Sequence, residues 1–400
     1  MSDAARVPPG GESGRAELAP ASRDAAPRIE PLPAGVVNLA DFEAPARARV
    51  DDKAWAYLSG GAADELTLRD NRAAWDRLRL QPRVLRDLAG GHTRVQLLGR
   101  ELQHPVLLAP IAYQRLFHAD GELAAAHAAA AQSAGMVLSA QSSIEMEAVA
   151  RPFADEPGSG PLWFQLYWRD DRDFMHALLQ RVERAGYQAL VLTVDAPVHG
   201  ARDRERRAGF QLPQHIRAVN LGGRKKPLDL QPGQSALFDG LMPRAATWAE
   251  IDWLRAHSRL PLLLKGVCHL DDARQALSLG VAGLIVSNHG GRALDTLPAS
   301  AELLPVLRQG LGPDVTLLVD GGIRRGTDVL KAMALGANAV LLGRPYVHAL
   351  AASGALGVAH ALRLLRDELE IAMALSGCKT LADAGPALIW PGNSRSRTPS

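Results

Sequence analysis

The sequence predicts a (β/α)8 TIM barrel with an N-terminal helical cap and a long loop after the fourth strand. Three observations predict it. Eight short apolar runs rich in Val, Leu and Ile recur from residue 105 onward. Amphipathic stretches of roughly 10–14 residues lie between most of them, several closed by a Gly just past the last apolar position. Polar or ionisable residues stand at the ends of seven of the eight runs, after the apolar positions.

The runs, in order, are "PVLLAP" (105–110), "MVLSA" (136–140), "WFQLY" (163–167), "ALVLTVD" (189–195), "LPLLLKG" (260–266), "GLIVSNH" (283–289), "VTLLVDGG" (315–322) and "AVLLGRP" (339–345). The helix candidates are "GELAAAHAAAAQSA", "DFMHALLQRVERAG", "LDDARQALSLG", "AELLPVLRQGL" and "GTDVLKAMALG". Parallel strands alternating with helices suit either a barrel or a doubly wound open sheet. The open sheet is disfavoured because no Gly-rich dinucleotide fingerprint follows the first run. Units repeat every 25–30 residues, roughly, except between Asp195 and Leu260. That long segment holds "ARDRERRAG" and "GGRKKP" and reads as a lid or binding segment.

Residues 37–104 carry helical patterning and are expected to cap one end of the barrel. The stretch 355–378 is a periodic helix expected to pack on the outside. The domain reading is therefore a disordered tail over 1–36, a barrel domain over 37–385 and a second disordered tail over 386–400. The first tail is rich in Ala, Pro, Gly and Arg, and has no aromatic residue and no apolar h-region of a secretory signal.

Bulk composition narrows the function classes. The chain has 400 residues, 47% apolar and 22% charged, enough for one large barrel or two ordinary domains. The 45 basic and 43 acidic residues leave a net charge of +2, so nothing calls for nucleic acid or an acidic membrane. Two cysteines, Cys268 and Cys378, suggest no disulfide framework and fit a reducing cytoplasm. No run of about eighteen apolar residues offers a membrane span, and no metal site is expected.

A barrel concentrates its chemistry at the C-terminal ends of its strands. There the sequence places Ser139, then Gln165 and Tyr167, then Thr193 and Asp195, then Lys265, then Ser287 and His289, then Asp320 with Gly321 and Gly322, then Gly343 with Arg344. Any one of these could simply be a strand end meeting water; their convergence on one face is what argues for a site. "DGGIRR" after the seventh run and "GRP" after the eighth suit a phosphate group, because glycines let backbone N–H groups approach an oxyanion and arginines add positive potential. Two ordinary tight turns are the bland alternative. Lys265 ends an apolar run, so its ammonium needs an anion or an electron-rich ring unless it snorkels to solvent. In "SNHGGRALD", His289 is a candidate general base and Arg292 a carboxylate clamp. Arg202 could supply a second clamp and Asp195 could orient the imidazole. A base, a carboxylate clamp and a phosphate-anchored cofactor together suggest chemistry at the carbon next to a carboxylate.

These residues resemble the FMN-dependent α-hydroxy acid oxidases and dehydrogenases, the family of glycolate oxidase, lactate oxidase and mandelate dehydrogenase. "SNHGGRALD" is similar to that family's active-site signature. "APIAYQRLFHADGE", "WFQLYWRDD", "LTVDAPVHGARDRE", "LLKGV", "DGGIRRGTDVLKAMALGA", "GRP" and "ALSGC" follow as further blocks in the family's order. The resemblance implies FMN as cofactor and oxidation of an (S)-2-hydroxy acid to the 2-oxo acid. It implies that the backbone of Pro110, Ile111 and Ala112 passes along the flavin ring. Ser139, Gln165, Thr193 and Ser287 would contact its polar edge, and Lys265 would face the flavin N1 and O2. Asp320, Gly321, Gly322, Ile323 and Arg324 would hold the ribityl chain and phosphate, and Gly343 with Arg344 would complete the phosphate cup. His289 would be the base, paired with Asp195; Arg202 and Arg292 would grip the substrate carboxylate; Tyr57 and Tyr167 would bind carboxylate and hydroxyl. Dioxygen would be the electron acceptor, with a quinone-linked dehydrogenase as the alternative, and the assembly a homotetramer in the cytoplasm. Ala112 favours the oxidase, and the long loop lacks an apolar membrane-binding segment. An isomerase of the type 2 isopentenyl diphosphate class shares barrel and phosphate cup but needs neither the His289–Arg292 pair nor Arg202. A flavoprotein that binds without turnover is a third reading.

Three departures stand out. The family's PTA block reads "PIA" here. Gln141 stands where glycolate oxidase has a large aromatic residue, and His199 where it has an apolar one. With Tyr113 they predict a more polar pocket and a preferred substrate other than glycolate or a simple aliphatic hydroxy acid.

Overall fold

The computed structural model describes residues 29–222 and 227–391. Eight parallel strands close into a barrel: β1 (Val106–Leu108), β2 (Gly135–Ser139), β3 (Leu162–Leu166), β4 (Leu190–Thr193), β5 (Leu262–Lys265), β6 (Gly283–Val286), β7 (Leu317–Val319) and β8 (Ala339–Leu342). Closure is the pairing of β8 with β1, Val340 opposite Val106 and Leu342 opposite Leu108. Six strands fall inside their predicted runs, and β2 and β3 begin one residue before theirs, at Gly135 and Leu162.

The period of two along a strand explains both the core and the site. One residue per strand forms an inward layer: Leu107, Val137, Trp163, Val191, Leu263, Ile285, Leu318 and Leu341, all within 2% of complete burial. Their strand neighbours, such as Val106, Leu138, Phe164 and Leu264, face outward and pack under the helices. Moving two positions towards the C-terminal end, again inward, gives Ala109, Ser139, Gln165, Thr193, Lys265, Ser287, Asp320 and Gly343. The barrel interior thus changes from an apolar plug to a ring of polar groups within one step of the pleat.

The segment before the barrel closes both ends, not one. Helices Asp52–Ser59 and Leu66–Arg77 put Tyr57, Leu58, Leu68, Asn71 and Arg72 on the cavity at the strand C-termini. The hairpin Val95–Leu97 with Arg100–Leu102 instead buries Leu97 and Leu102 against the inward apolar layer, plugging the opposite end. Two barrel helices carry no sequence expectation, Met146–Asp155 and Trp248–His257. Pro152 sits inside the first of them, which weakens the helical signal. The second lies within the long segment after β4, which also folds into a short helix Asp203–Arg207 and turns over Ala236–Arg244. Part of "GGRKKP" lies outside the described residues. The long segment is not free of exposed apolar groups, since Leu237, Phe238 and Leu241 face outward.

The last helix runs Arg344–Ser376 with a break at Ser353 and Gly354, so the periodic stretch 355–378 is the second half of a longer element. By length and composition it could cross a membrane, but 67% of its most apolar window is buried inside the protein. It packs against Gly121–Ala131, Gly326–Ala334 and Glu43–Arg49.

The ordered body also extends past both predicted edges. Ile29 pairs with Gly354, and Leu32 and Val36 pack on the core. Leu388 is buried, Leu80 pairs with Ile389, and the Trp390 N–H donates to the Arg79 carbonyl at 2.8 Å. A polar, proline-rich composition masks the few apolar residues that dock. Residues 1–28 and 392–400 of the predicted tails lie outside the described residues.

Candidate active site

A continuous cavity of about 1720 Å3 opens over the strand C-termini. Its floor is the polar ring. Gln165 Nε2 donates to Thr193 Oγ1 at 2.9 Å, and Lys265 Nζ donates to Ser287 Oγ at 2.7 Å. Lys265 also pairs with Asp320 Oδ2 at 3.1 Å, and Asp320 Oδ1 is buried without a partner. Desolvation works against the Lys265 charge, but Asp320 and Asp195 outweigh it and hold the ammonium above its ordinary value. Two of its three donors are engaged and one remains for a ligand above the ring.

The base stands beside this floor. His289 Nδ1 is 2.8 Å from Asp195 Oδ1. Desolvation would raise the Asp195 carboxyl, yet the His289 hydrogen bond and the charges of His289 and Lys265 keep it below the usual range. Desolvation pushes the imidazole below its ordinary value despite Asp195, with Lys265 and Arg292 adding to the effect. The resting pair is therefore a neutral imidazole donating Nδ1–H to an ionised carboxylate, with Nε2 left as the acceptor on the cavity side.

"SNHGGRALD" forms this corner by its backbone. His289, Gly290 and Gly291 have φ of +58°, +63° and +74°. A Cβ on Gly291 would come within 2.6 Å of the Leu68 backbone nitrogen, so glycine is required there. His289 carries left-handed strain of about 1–3 kcal/mol. Several contacts hold it: its N–H donates to Ser287 Oγ at 3.0 Å, and Asn288 and Asn71 exchange amide hydrogen bonds at 2.8 and 2.9 Å. Asp295 caps the helix Leu66–Arg77 by accepting from the Leu66 and Thr67 N–H groups.

Arg292 turns back over the cavity. Its Nη1 donates to the Tyr57 carbonyl and, at 3.0 Å, to the Gly60 carbonyl; its Nη2 donates to Glu205 Oε1 at 2.9 Å. Its guanidinium lies over the Tyr57 ring, 4.9 Å from the centroid, and that ring stacks on Phe210 at 4.7 Å. Arg202 Nε donates to the Arg292 carbonyl at 3.4 Å, and its Nη1 is 3.6 Å from Glu205 Oε1. Desolvation and then Arg202 depress the Arg292 charge, the mark of two cations held together. Tyr167 lines the same space, its phenol held protonated by desolvation and by Asp195.

At the other end lie Gly321, Gly322, Arg324, Gly343 and Arg344. Desolvation and Arg72 push Arg324 down to about 10; desolvation, Arg292 and Arg324 press likewise on Arg344. Positive charge is in excess there, as an anion site requires. A Cβ on Gly343 would meet nothing nearer than Ala109 at 4.0 Å, so the backbone faces open space. The Arg344 side chain differs from its expected role. Its Nε, Nη1 and Nη2 donate to the carbonyls of Leu58, Gly290 and Gly60 at 2.8, 3.0 and 2.9 Å. Those carbonyls engage the guanidinium, and its backbone N–H stands in the first turn of the helix, where no intrahelical acceptor exists. A polar ring with an unpartnered carboxylate oxygen and a free ammonium donor, ending in a cationic, glycine-lined cup, fits a flavin mononucleotide.

The profile of the FMN-dependent dehydrogenase family matches residues 46–391. The chain belongs to this family. It is 47% identical over 355 residues to an L-lactate oxidase of Alicycliphilus denitrificans, covering 88% of this chain and 96% of that one. It is 42% identical to a 4-hydroxymandelate oxidase of Amycolatopsis orientalis, covering 87% and 96%. A solved structure of mandelate oxidase with (S)-2-phenylpropionate superposes with a TM-score of 0.79 at 41% identity, covering 88% and 98%. This FMN-dependent enzyme brings its expected residues to one cavity: Pro110, Ile111 and Ala112 on one wall, with Gln141, His199 and Tyr113 beside them. Ser287 and Asp195 stand just behind the lining, hydrogen-bonded to Lys265 and His289.

Glu205 and Asn71 escaped sequence reasoning. Glu205 had a signal, standing three residues after Arg202 on a helical stretch. Asn71 had none, because its partner Asn288 is 217 residues away.

Proposed function

We propose that this family member oxidises an (S)-2-hydroxy acid to the 2-oxo acid, with dioxygen as acceptor. The carrying observation is the His289–Asp195 pair next to two guanidiniums, Arg202 and Arg292, on one cavity. FMN, when bound, would supply the two-electron acceptor for this chemistry, with dioxygen as the final acceptor.

The protein's own groups do the rest. Arg292 and Arg202 bind the substrate carboxylate, and Tyr57 and Tyr167 bind carboxylate and hydroxyl. His289 Nε2 takes a proton from the bound 2-hydroxy acid, and Asp195 stabilises the imidazolium that forms. Lys265 would meet the flavin edge with its remaining donor, and Ser139, Gln165, Thr193 and Ser287 would orient that edge. Asp320 to Arg324, Gly343 and the Arg344 N–H would hold ribityl and phosphate. The names of the relatives, lactate and 4-hydroxymandelate oxidases, support the substrate class and dioxygen. An isomerase would not need the clamp beside the base. The exposed apolar residues Val84, Leu85, Leu375 and Trp390 support self-association, and the family resemblance makes a homotetramer the proposed assembly. The low cysteine count supports a cytoplasmic setting.

The deciding experiment is anaerobic: a yellow protein that bleaches with a 2-hydroxy acid and regains colour in air. Flavin that stays oxidised with every hydroxy acid would overturn the reading, and reoxidation only by a quinone would replace dioxygen. Gln141, His199 and Tyr113 make the wall polar, so glycolate is expected not to be the best substrate in a panel.

Replacing Arg292 with Lys keeps the charge but loses the planar fork and the contacts to Glu205 and Gly60. The expected result is a rise in KM of about 10–100-fold with a smaller change in kcat, corresponding to roughly 1.4–2.8 kcal/mol. Unchanged KM would remove Arg292 from the clamp.

The pH profile follows from the pair. Catalysis needs neutral His289, whose value is lowered. Therefore kcat/KM should rise with pH through one ionisation below the ordinary imidazole value, and stay level through neutrality. A limb centred above that value would contradict a desolvated base.

A further inference from the structure

Arg292 has five N–H donors. Nη1 uses both of its hydrogens on the Tyr57 and Gly60 carbonyls, and Nη2 uses one on Glu205. Two remain, Nε–H and one on Nη2, the number a carboxylate accepts in a twofold contact. Glu205 therefore orients the fork. It does so from an enclosed position: its side chain is 13% exposed, like that of Arg292, and Arg202 is 14% exposed. Its one oxygen, Oε1, lies between both guanidiniums at 2.9 and 3.6 Å.

Two cations enclosed side by side repel, and Glu205 offsets one of them. Of the neighbouring charges, Arg204 pairs with Glu65, Asp195 with His289, and Lys265 with Asp320, while the Arg344 guanidinium is held by the carbonyls of Leu58, Gly290 and Gly60. What the clamp offers an incoming ligand is one uncompensated positive charge.

We propose that Glu205 is a positioning residue that sets the charge of the clamp, so that the site selects 2-hydroxy acids bearing a single carboxylate. A second carboxylate on the substrate would enter a clamp whose second cation is already matched, and would face Glu205 directly. The inference rests on the assignment of Arg202 and Arg292 to the substrate carboxylate.

Malonate and propionate test it, being three-carbon anions that differ by one charge above neutral pH. Each is titrated into the FMN-loaded protein and binding is read from the flavin absorption spectrum. The wild type should bind malonate no more than about tenfold tighter than propionate. In Glu205→Gln the ratio should move towards malonate by about tenfold or more, since a unit charge within a few ångströms in an enclosed site is worth at least that. Glu205→Asp should stay near the wild-type ratio. A wild type that prefers malonate by more than about tenfold overturns the proposal without any variant, as does an unmoved ratio in Glu205→Gln. If neither anion perturbs the spectrum and no 2-hydroxy acid bleaches the flavin, the hydroxy acid reading itself has failed. If bleaching is normal and only the ratio is unmoved, the charge-setting role alone falls.

Discussion

Replacing His289 with Gln is expected to leave the protein yellow while slowing flavin bleaching by a 2-hydroxy acid by about 10²–10⁴-fold. Position and chemistry depend on different atoms of this residue. The turn is held by the His289 backbone N–H on Ser287 Oγ and by the Asn71–Asn288 amide pair, neither of which needs the imidazole. Gln has similar reach and can donate to Asp195, so that carboxylate is not stranded. What disappears is a neutral nitrogen base that Asp195 stabilises once protonated. Flavin content of the purified variant and stopped-flow bleaching check the two halves separately. Loss of colour would make His289 structural, and bleaching at the wild-type rate would remove it as the base.

Replacing Lys265 with Met is expected to destabilise the flavin-free protein by about 3–5 kcal/mol, because it strands a buried carboxylate. Asp320 is 7% exposed and meets Lys265 at 3.1 Å, while its other oxygen already lacks a partner. Removing the ammonium leaves that charge uncompensated in the barrel mouth. The double variant Lys265→Met with Asp320→Asn should recover most of the loss, since the charge goes with its partner. Urea unfolding of the flavin-free forms measures this without reference to activity. Equal stability of the single variant and wild type would show that the pair contributes nothing to the fold.

Legibility in the sequence followed the range of the interactions. The ring of Ser139, Gln165, Thr193, Lys265, Ser287, Asp320 and Gly343 was visible because each member follows its own apolar run by a fixed step, a local property of one strand. Arg344 was placed at the cup by its position after the eighth run, but the carbonyls that hold its guanidinium were not legible, because Leu58, Gly60 and Gly290 reach it only through folding. The edges of the ordered body were misjudged at both ends, where a few apolar residues dock within polar, proline-rich stretches.

The amino-acid sequence alone therefore determined the barrel and the polar ring at its mouth, since strand periodicity carries both, and it singled out His289 as the candidate base by residue type and resemblance. The tertiary structure decided which groups those residues face. Only there does Glu205 come between Arg202 and Arg292, Asn71 lock Asn288, and Asp295 cap a helix from 228 residues away. The physical reason is that a strand's pleat is set by nearest neighbours along the chain. The partner of an enclosed charge is set by whatever distant group can repay its desolvation.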